Sequence, residues 1–152
     1  MPGLAGKWTA ILDQIETDTK TITELSDDGS RSKVHMWRAK PAFIEGEYEA
    51  TIVPGSMTSD EGVTSKTTFN NFLIAIDLLY YSNSTDTFKS GIQNALAVAE
   101  KVYDKFHLKT ISGTVRIARC RIITGEGLLS ERNIDAIPVR VEINAQVSIT
   151  QS

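Results

Sequence analysis

The last segment of the chain alternates strictly between apolar and polar residues. The apolar positions run from Val139 to Ile149, and the polar ones run from Arg140 to Thr150. This period of two is typical of a β-strand with one buried face and one face against water or polar neighbours. The pattern therefore predicts a long strand that needs a sheet around it and a core on one side.

Two other segments have apolar residues at helical spacing. The first runs from Leu4 to Ile15 and predicts an amphipathic N-terminal helix of about four turns. The second has an apolar stripe from Phe88 to Phe106, and Asp86 is positioned to cap its start. We expect each helix to place its apolar stripe on a sheet.

Four further segments predict the other strands. Residues 34–38 predict a short strand, and the alternation of residues 45–53 predicts a strand with one wet face. Residues 68–81 are apolar on both parities, which predicts a central strand covered on both faces. Residues 115–123 change parity midway, which indicates a bulge or burial on both sides.

The remaining segments are connections. Residues 54–67 are rich in Ser, Thr, Gly and acidic residues, which predicts a long projecting loop or a projecting hairpin. A second projecting connection is expected at 124–136. A chain of 152 residues fits one domain, 1–152. The order of elements predicts an α+β fold, a mostly antiparallel sheet with two amphipathic helices packed on one face.

Composition and charge exclude several classes of protein. The chain has 16 Lys and Arg against 19 Asp and Glu, and this net charge of −3 argues against a protein that grips nucleic-acid phosphates. One cysteine permits no internal disulfide. We find no secretory leader and no apolar run near the ~20 residues of a membrane span, so we expect a protein made in the cytoplasm.

Rare reactive residues give no convincing catalytic, cofactor or metal site. His35 and His107 lack metal-ligand spacing, and Cys120 lies in an apolar strand that predicts a buried, inert thiol. Gly125-Glu126-Gly127 is one glycine short of a phosphate loop and is interpreted as a turn. The paired carboxylates are expected to be solvated.

Four arginines lie on the two closing strands: Arg116, Arg119, Arg121 and Arg140. They could form salt bridges across the sheet with Glu142, Glu126 or Glu131, or they could meet acidic residues of a neighbouring subunit. A nucleic-acid groove is the weakest alternative, because no aromatic residues are interleaved with them.

Other residues are candidates for an interface between subunits. Tyr80 and Tyr81, at the end of the apolar strand, suit an interface rim, and Leu128 and Leu129 form an exposed apolar pair in the second connection. The apolar strand itself is either a core strand or a strand that packs on another chain.

Several stretches together resemble the tail terminator, or tail completion, proteins of long-tailed bacteriophages. These are Trp8-Thr9-Ala10-Ile11-Leu12, Phe72-Leu73-Ile74-Ala75-Ile76-Asp77, the helix over 88–106, and the alternation that begins at Ile137. The similarity covers most of the chain and is one of pattern. The Thr-rich stretch 17–23 does not match it.

The resemblance implies a structural virion protein rather than an enzyme. Such a protein forms a homo-oligomeric ring, typically a hexamer, at the head-proximal end of the tail, where it caps the tail tube, stops polymerisation and receives the DNA-filled head. The implied partners are the tail tube protein and the head connector or neck protein, and DNA passes through without specific binding. The implied contact arms are 54–67 and 125–133, with the arginines at subunit interfaces.

A neck, head-completion or tail tube protein is the alternative in the same setting. A small ligand-binding or hydrolytic α+β enzyme is the alternative of another class.

Overall fold

The structure, a computed structural model, describes residues 4–29, 31–36, 44–64, 67–112, 115–124 and 136–150. The helices are α1 (Leu4–Thr19) and α2 (Phe88–Phe106), with a 3-10 turn at Thr23–Leu25. The strands are β1 (Val34–Met36), β2 (Tyr48–Thr64), β3 (Thr67–Tyr81), β4 (Thr110–Ser112), β5 (Val115–Ile123) and β6 (Ala136–Thr150).

These six strands form one sheet in the order β1-β2-β3-β6-β5-β4. All neighbours are antiparallel except β1 and β2, which are parallel. The predicted α+β fold with a mostly antiparallel sheet is confirmed. The alternation that opened the sequence analysis forms β6, which lies beside β3 in the middle of the sheet.

Both helices pack on one face of the sheet. Helix α2 lies over β3, β5 and β6, and α1 lies over β1 and β2. Alternate residues of β3 and β6, such as Phe72, Ile76 and Val141, point into the core between the two layers. A Cβ atom on Gly91 would lie 2.5 Å from Cδ1 of Ile137, so glycine at this position lets α2 approach β6 closely.

Helix α2 begins at Phe88, as the sequence predicts, but its N-cap residue differs from the predicted one. Thr87, not Asp86, is the N-cap residue, and it forms a capping box with Ser90. Asp86 supports this end of the helix differently, since its carboxylate accepts hydrogen bonds from the backbone N–H of Asn83 and the hydroxyl of Tyr80. Because this Tyr80 bond favours the ionised form, the pKa of Asp86 lies below its ordinary value.

The described residues of the segment 54–67 lie in the two strands of a hairpin and not in a loop. Strand β2 continues through Pro54 to Thr64, and β3 returns from Thr67, with irregular pairing after Pro54 and after Asp60. Of the two alternatives that the sequence left open, the hairpin is correct. We call residues 54–64 and 67–72 the distal hairpin.

Strand β3 is central, as predicted, but helices cover only one of its faces. On the other face Leu73 is 38% exposed, and Ala75, Asp77 and Leu79 are half-buried. Among the described residues only one face of β3 is therefore covered, and the alternative that another chain packs on the second face stays a prediction. We call the surface of β3, β5 and β6 that faces away from the helices the open face.

Candidate interface on the open face of the sheet

A bulge in β5 brings three arginines to the open face. Arg116 and Arg119 differ in parity, so a regular strand would place them on opposite faces. The pairing with β6 shifts register between Ile117 and Arg119, where β5 carries one extra residue. After this bulge Arg119 and Arg121 follow Arg116 on the same face.

The pairing of β5 with β6 confirms this placement. Arg116, Arg119 and Arg121 lie opposite the polar residues of β6: Gln146, Asn144 and Glu142. Directly opposed residues of antiparallel strands project from the same face, and these β6 positions alternate with its buried ones. The sequence left a bulge and burial on both sides open, and the structure shows the bulge and what it does to the arginines.

Two of the four arginines are paired within the chain. Arg140 bonds Asp77 through two nitrogens, with Nε–Oδ1 at 2.6 Å and Nη2–Oδ2 at 3.2 Å, a bidentate arrangement. The Asp77 carboxylate raises the pKa of the Arg140 guanidinium. Arg121 bonds Glu142 on the neighbouring strand. The predicted salt bridge to Glu142 is confirmed for Arg121, while Asp77 as the partner of Arg140 was not foreseen.

The other two arginines remain free within the described part of the chain. Arg116 and Arg119 are exposed, and neither forms an ion pair with any residue of that part. Counting Asp77 and Glu142, the four arginines give the open face a net charge of +2 on a chain of net charge −3. The open face is therefore positive on a chain that is negative as a whole.

Beside the free arginines lies a shallow depression of about 280 Å³. Its lining comprises Leu73, Arg119, Arg121, Glu142 and Asn144. The side-chain oxygen Oδ1 of Asn144 is buried, yet it accepts no hydrogen bond from the described residues. The depression thus combines an exposed apolar side chain, a free cation and an unused acceptor, and we call this region, with Arg116, the arginine patch.

Tyr80 and Tyr81 do not form the rim of an interface. Their exposed fractions are 3% and 2%, because both side chains are packed within this chain. The hydroxyl of Tyr80 donates to Asp86 Oδ2 at 2.5 Å, and that of Tyr81 donates to Glu49 Oε2 at 2.7 Å. Burial and the Asp86 bond raise the pKa of Tyr80. Their role is internal, and the prediction of an exposed rim is wrong.

Leu128 and Leu129 lie outside the described residues, as do Glu126, Glu131 and residues 125–135 of the second connection. Their proposed contacts remain sequence-based predictions.

The two histidines lie far apart in the order of strands. His35 is in the edge strand β1, whereas Nδ1 of His107 accepts a hydrogen bond at 3.1 Å from the backbone N–H of Cys120 in β5. The strands β2, β3 and β6 lie between β1 and β5, so the two imidazoles cannot share a ligand. Within the described ranges no group of three His, Cys, Asp or Glu side chains is placed to hold a metal.

Cys120 is buried, and burial raises the pKa of its thiol to about 12. Since the thiolate is the reactive form, we expect less than about one-hundredth of the reaction rate of an exposed thiol with a disulfide reagent at pH 8. Absorbance of the released thiolate measures this rate, and the protein unfolded in urea is the positive control. Rapid labelling of the folded protein would show that the thiol is accessible.

Among the described residues, neither helix has the length and apolar character needed to span a membrane.

Comparison with known proteins identifies the fold. No protein-family model and no curated protein matches the sequence. Solved structures match in three dimensions, with 17 similar chains. One of them, whose name states no function, has a TM-score of 0.51 and 12% sequence identity, with 92% of each chain covered. At this identity the likeness shows a shared α+β fold and supports no statement about activity.

Proposed function

We propose that this protein is a structural subunit of a homo-oligomeric ring at the head-proximal end of a long bacteriophage tail, a tail terminator. One observation carries the proposal. A six-stranded sheet has both of its helices on one face, while the other face presents the arginine patch. A patch of exposed leucine, free arginines and an unused acceptor fits a surface that another protein covers.

The distal hairpin supplies a second contact surface under this proposal. Gly55, Ser56, Met57 and Thr58 are exposed, and Met57 retains 41% of its accessible surface. These residues lie on β2 beyond its pairing with β1, which ends at Ile52. We propose that the distal hairpin contacts the tail tube or the head connector, because an exposed methionine adapts to varied apolar partners.

The charge of the chain is compatible with a conduit for DNA. A net charge of −3 does not favour retention of a passing duplex. The positive charge lies on the arginine patch, which in a ring would be covered by the neighbouring subunit.

The enzyme alternative gains less support from the described residues. An active site would combine a depression with an acid or base of shifted pKa. The Cys120 thiol, the Asp86 carboxyl and the hydroxyls of Tyr48 and Tyr80 have shifted pKa values, and none of these residues lines the depression.

Light scattering and electron microscopy test the proposal. We expect purified protein to form a closed ring, alone or on tail ends, and six copies of the 16.7 kDa chain would have a mass of about 100 kDa. Addition of the protein to growing tail tubes should halt their elongation. A monomer at every concentration, with no ring on a purified tail end, would overturn the proposal. Filaments of this protein alone would favour a tail tube subunit instead.

A further inference from the structure

We infer that the arginine patch of one copy docks on the acidic half of helix α1 of the next copy, so that the subunits meet front to back. This inference rests on the proposed ring and names the two surfaces that build it. The occupant of the arginine patch is thus a second copy of this chain.

The patch requires an anionic partner. Arg116 and Arg119 lack ion pairs within the described part of the chain, and Arg121 and Arg140 already use Glu142 and Asp77. Asn144 Oδ1, buried and unused beside Arg119, is an acceptor, so it would take a hydrogen bond from a donor that accompanies the anionic groups. Leu73 adds an apolar contact between the charges.

Helix α1 carries the matching charge. Its second half contains Asp13, Glu16 and Asp18, and its last turn contains no basic residue. The C-terminal end of a helix already has negative partial charge, so acids there are unfavourable by about 0.3–1 kcal/mol each unless a cation is near. Lys20 partly offsets this cost, since its Nζ lies 3.4 Å from Glu16 Oε1 and 3.9 Å from Asp27 Oδ1.

Asp13 is the free member of the acidic half. It is exposed, and its carboxylate forms no ion pair with the described residues, whereas Asp18 accepts a hydrogen bond from Gln14. Ala10 and Gly6, exposed about one and two turns before Asp13, are small residues that would let a neighbouring sheet approach the helix closely. Asp13 lies more than one turn before the end of α1, so the helix-end cost falls on Glu16 and Asp18, and a basic surface here would give the Asp13 carboxylate a partner.

The placement of the two surfaces dictates the kind of assembly. The arginine patch is on the open face, and α1 belongs to the helix layer on the other side of the sheet. If the arginine patch docked on the same patch of a second copy, arginines would lie against arginines, which costs free energy. Front-to-back contacts between different surfaces instead repeat from copy to copy and close into a ring when the rotation allows.

A charge exchange tests this inference. One variant carries Arg116→Glu and Arg119→Glu, and the other carries Asp13→Lys and Asp18→Lys. We expect each alone to raise the dissociation constant of the assembly at least about tenfold. A mixture of the two should assemble again, because each reversed surface then faces the reversed surface of the other variant. Light scattering at about 0.05 M and about 0.5 M salt measures the masses.

The matched control is Lys89→Glu with Lys105→Glu, which changes the same number of exposed charges on α2 and should leave assembly as in the parent protein. Circular dichroism verifies that every variant is folded. If both reversed variants keep the parent mass, or if the mixture stays dissociated, the front-to-back contact is wrong while the ring still stands. If the parent protein is a monomer at every concentration and forms no ring on a purified tail end, the ring and the contact are both wrong.

Discussion

Replacing Phe72 by Ala should lower the free energy of unfolding by about 3–5 kcal/mol, a large part of the roughly 5–15 kcal/mol typical of a domain. The Phe72 side chain is 1% exposed and lies in the core between β3 and α1. Its ring centroid is 4.5 Å from that of Trp8, so the substitution removes the contact by which α1 packs on the middle of the sheet. Urea unfolding followed by circular dichroism measures the loss.

The neighbouring residue provides a control on the opposite face. Leu73 is 38% exposed in the arginine patch, so Leu73→Ala should cost less than about 1 kcal/mol in the isolated chain. Both substitutions are best compared in the Arg116→Glu, Arg119→Glu variant, where association contributes little to apparent stability. Equal losses for the two variants would contradict the assignment of a helix-covered face and an open face to β3.

Much of this fold follows from local patterns in the sequence. The alternation of β6 and the apolar stripe of α2 are regular because each element has one core-facing side and one polar side. The change of parity in β5 indicates either a bulge or burial on both sides, and the bulge near Arg119 is the alternative that the structure shows. These signals are strong because burial acts on every second residue of a strand and on one stripe of a helix.

The distal hairpin could not be predicted with the same certainty. Residues 54–64 have few apolar side chains, and backbone hydrogen bonds to β3 hold them in a strand. Backbone hydrogen bonds between strands do not depend on residue type, so they leave no pattern in the sequence. The irregular register after Pro54 further obscures the alternation of apolar and polar residues. The sequence therefore left a loop and a hairpin equally open.

The candidate site shows a different limit of sequence reasoning. The sequence identifies the four arginines, but the register of β5 against β6 decides which carboxylate each one meets. Asp77 is distant in sequence from Arg140 and becomes its partner only because β3 lies beside β6. Tyr81 resembles an interface residue by type and position, yet a buried acceptor, Glu49, holds it inside the chain.

Replacing Arg31 by Met should destabilise the protein by about 2–3 kcal/mol, although Arg31 precedes the sheet and lies in no strand. Arg31 Nη2 is 3.1 Å from Glu49 Oε1, and the Glu49 side chain is only 5% exposed. Loss of one member of a buried ion pair typically costs about 3–5 kcal/mol, because a charge stays buried without its partner. We expect a loss of stability at or below the lower end of this range because the Arg31 side chain is itself 25% exposed.

A triple substitution separates the burial of charge from the loss of contact. Arg31→Met, Glu49→Leu and Tyr81→Phe together remove the cation, the carboxylate and the hydroxyl that donates to it, so no member of the cluster is left unpaired by the others. Apolar replacement of a whole buried pair is often neutral, and we expect the triple variant to be more stable than Arg31→Met alone. Arg116→Met, at an exposed and unpaired position, is the control and should change the free energy of unfolding by less than about 0.5 kcal/mol. If the triple variant were less stable than Arg31→Met alone, the cluster would contribute net stability. It would then do more than hold Arg31 and the preceding turn against β2.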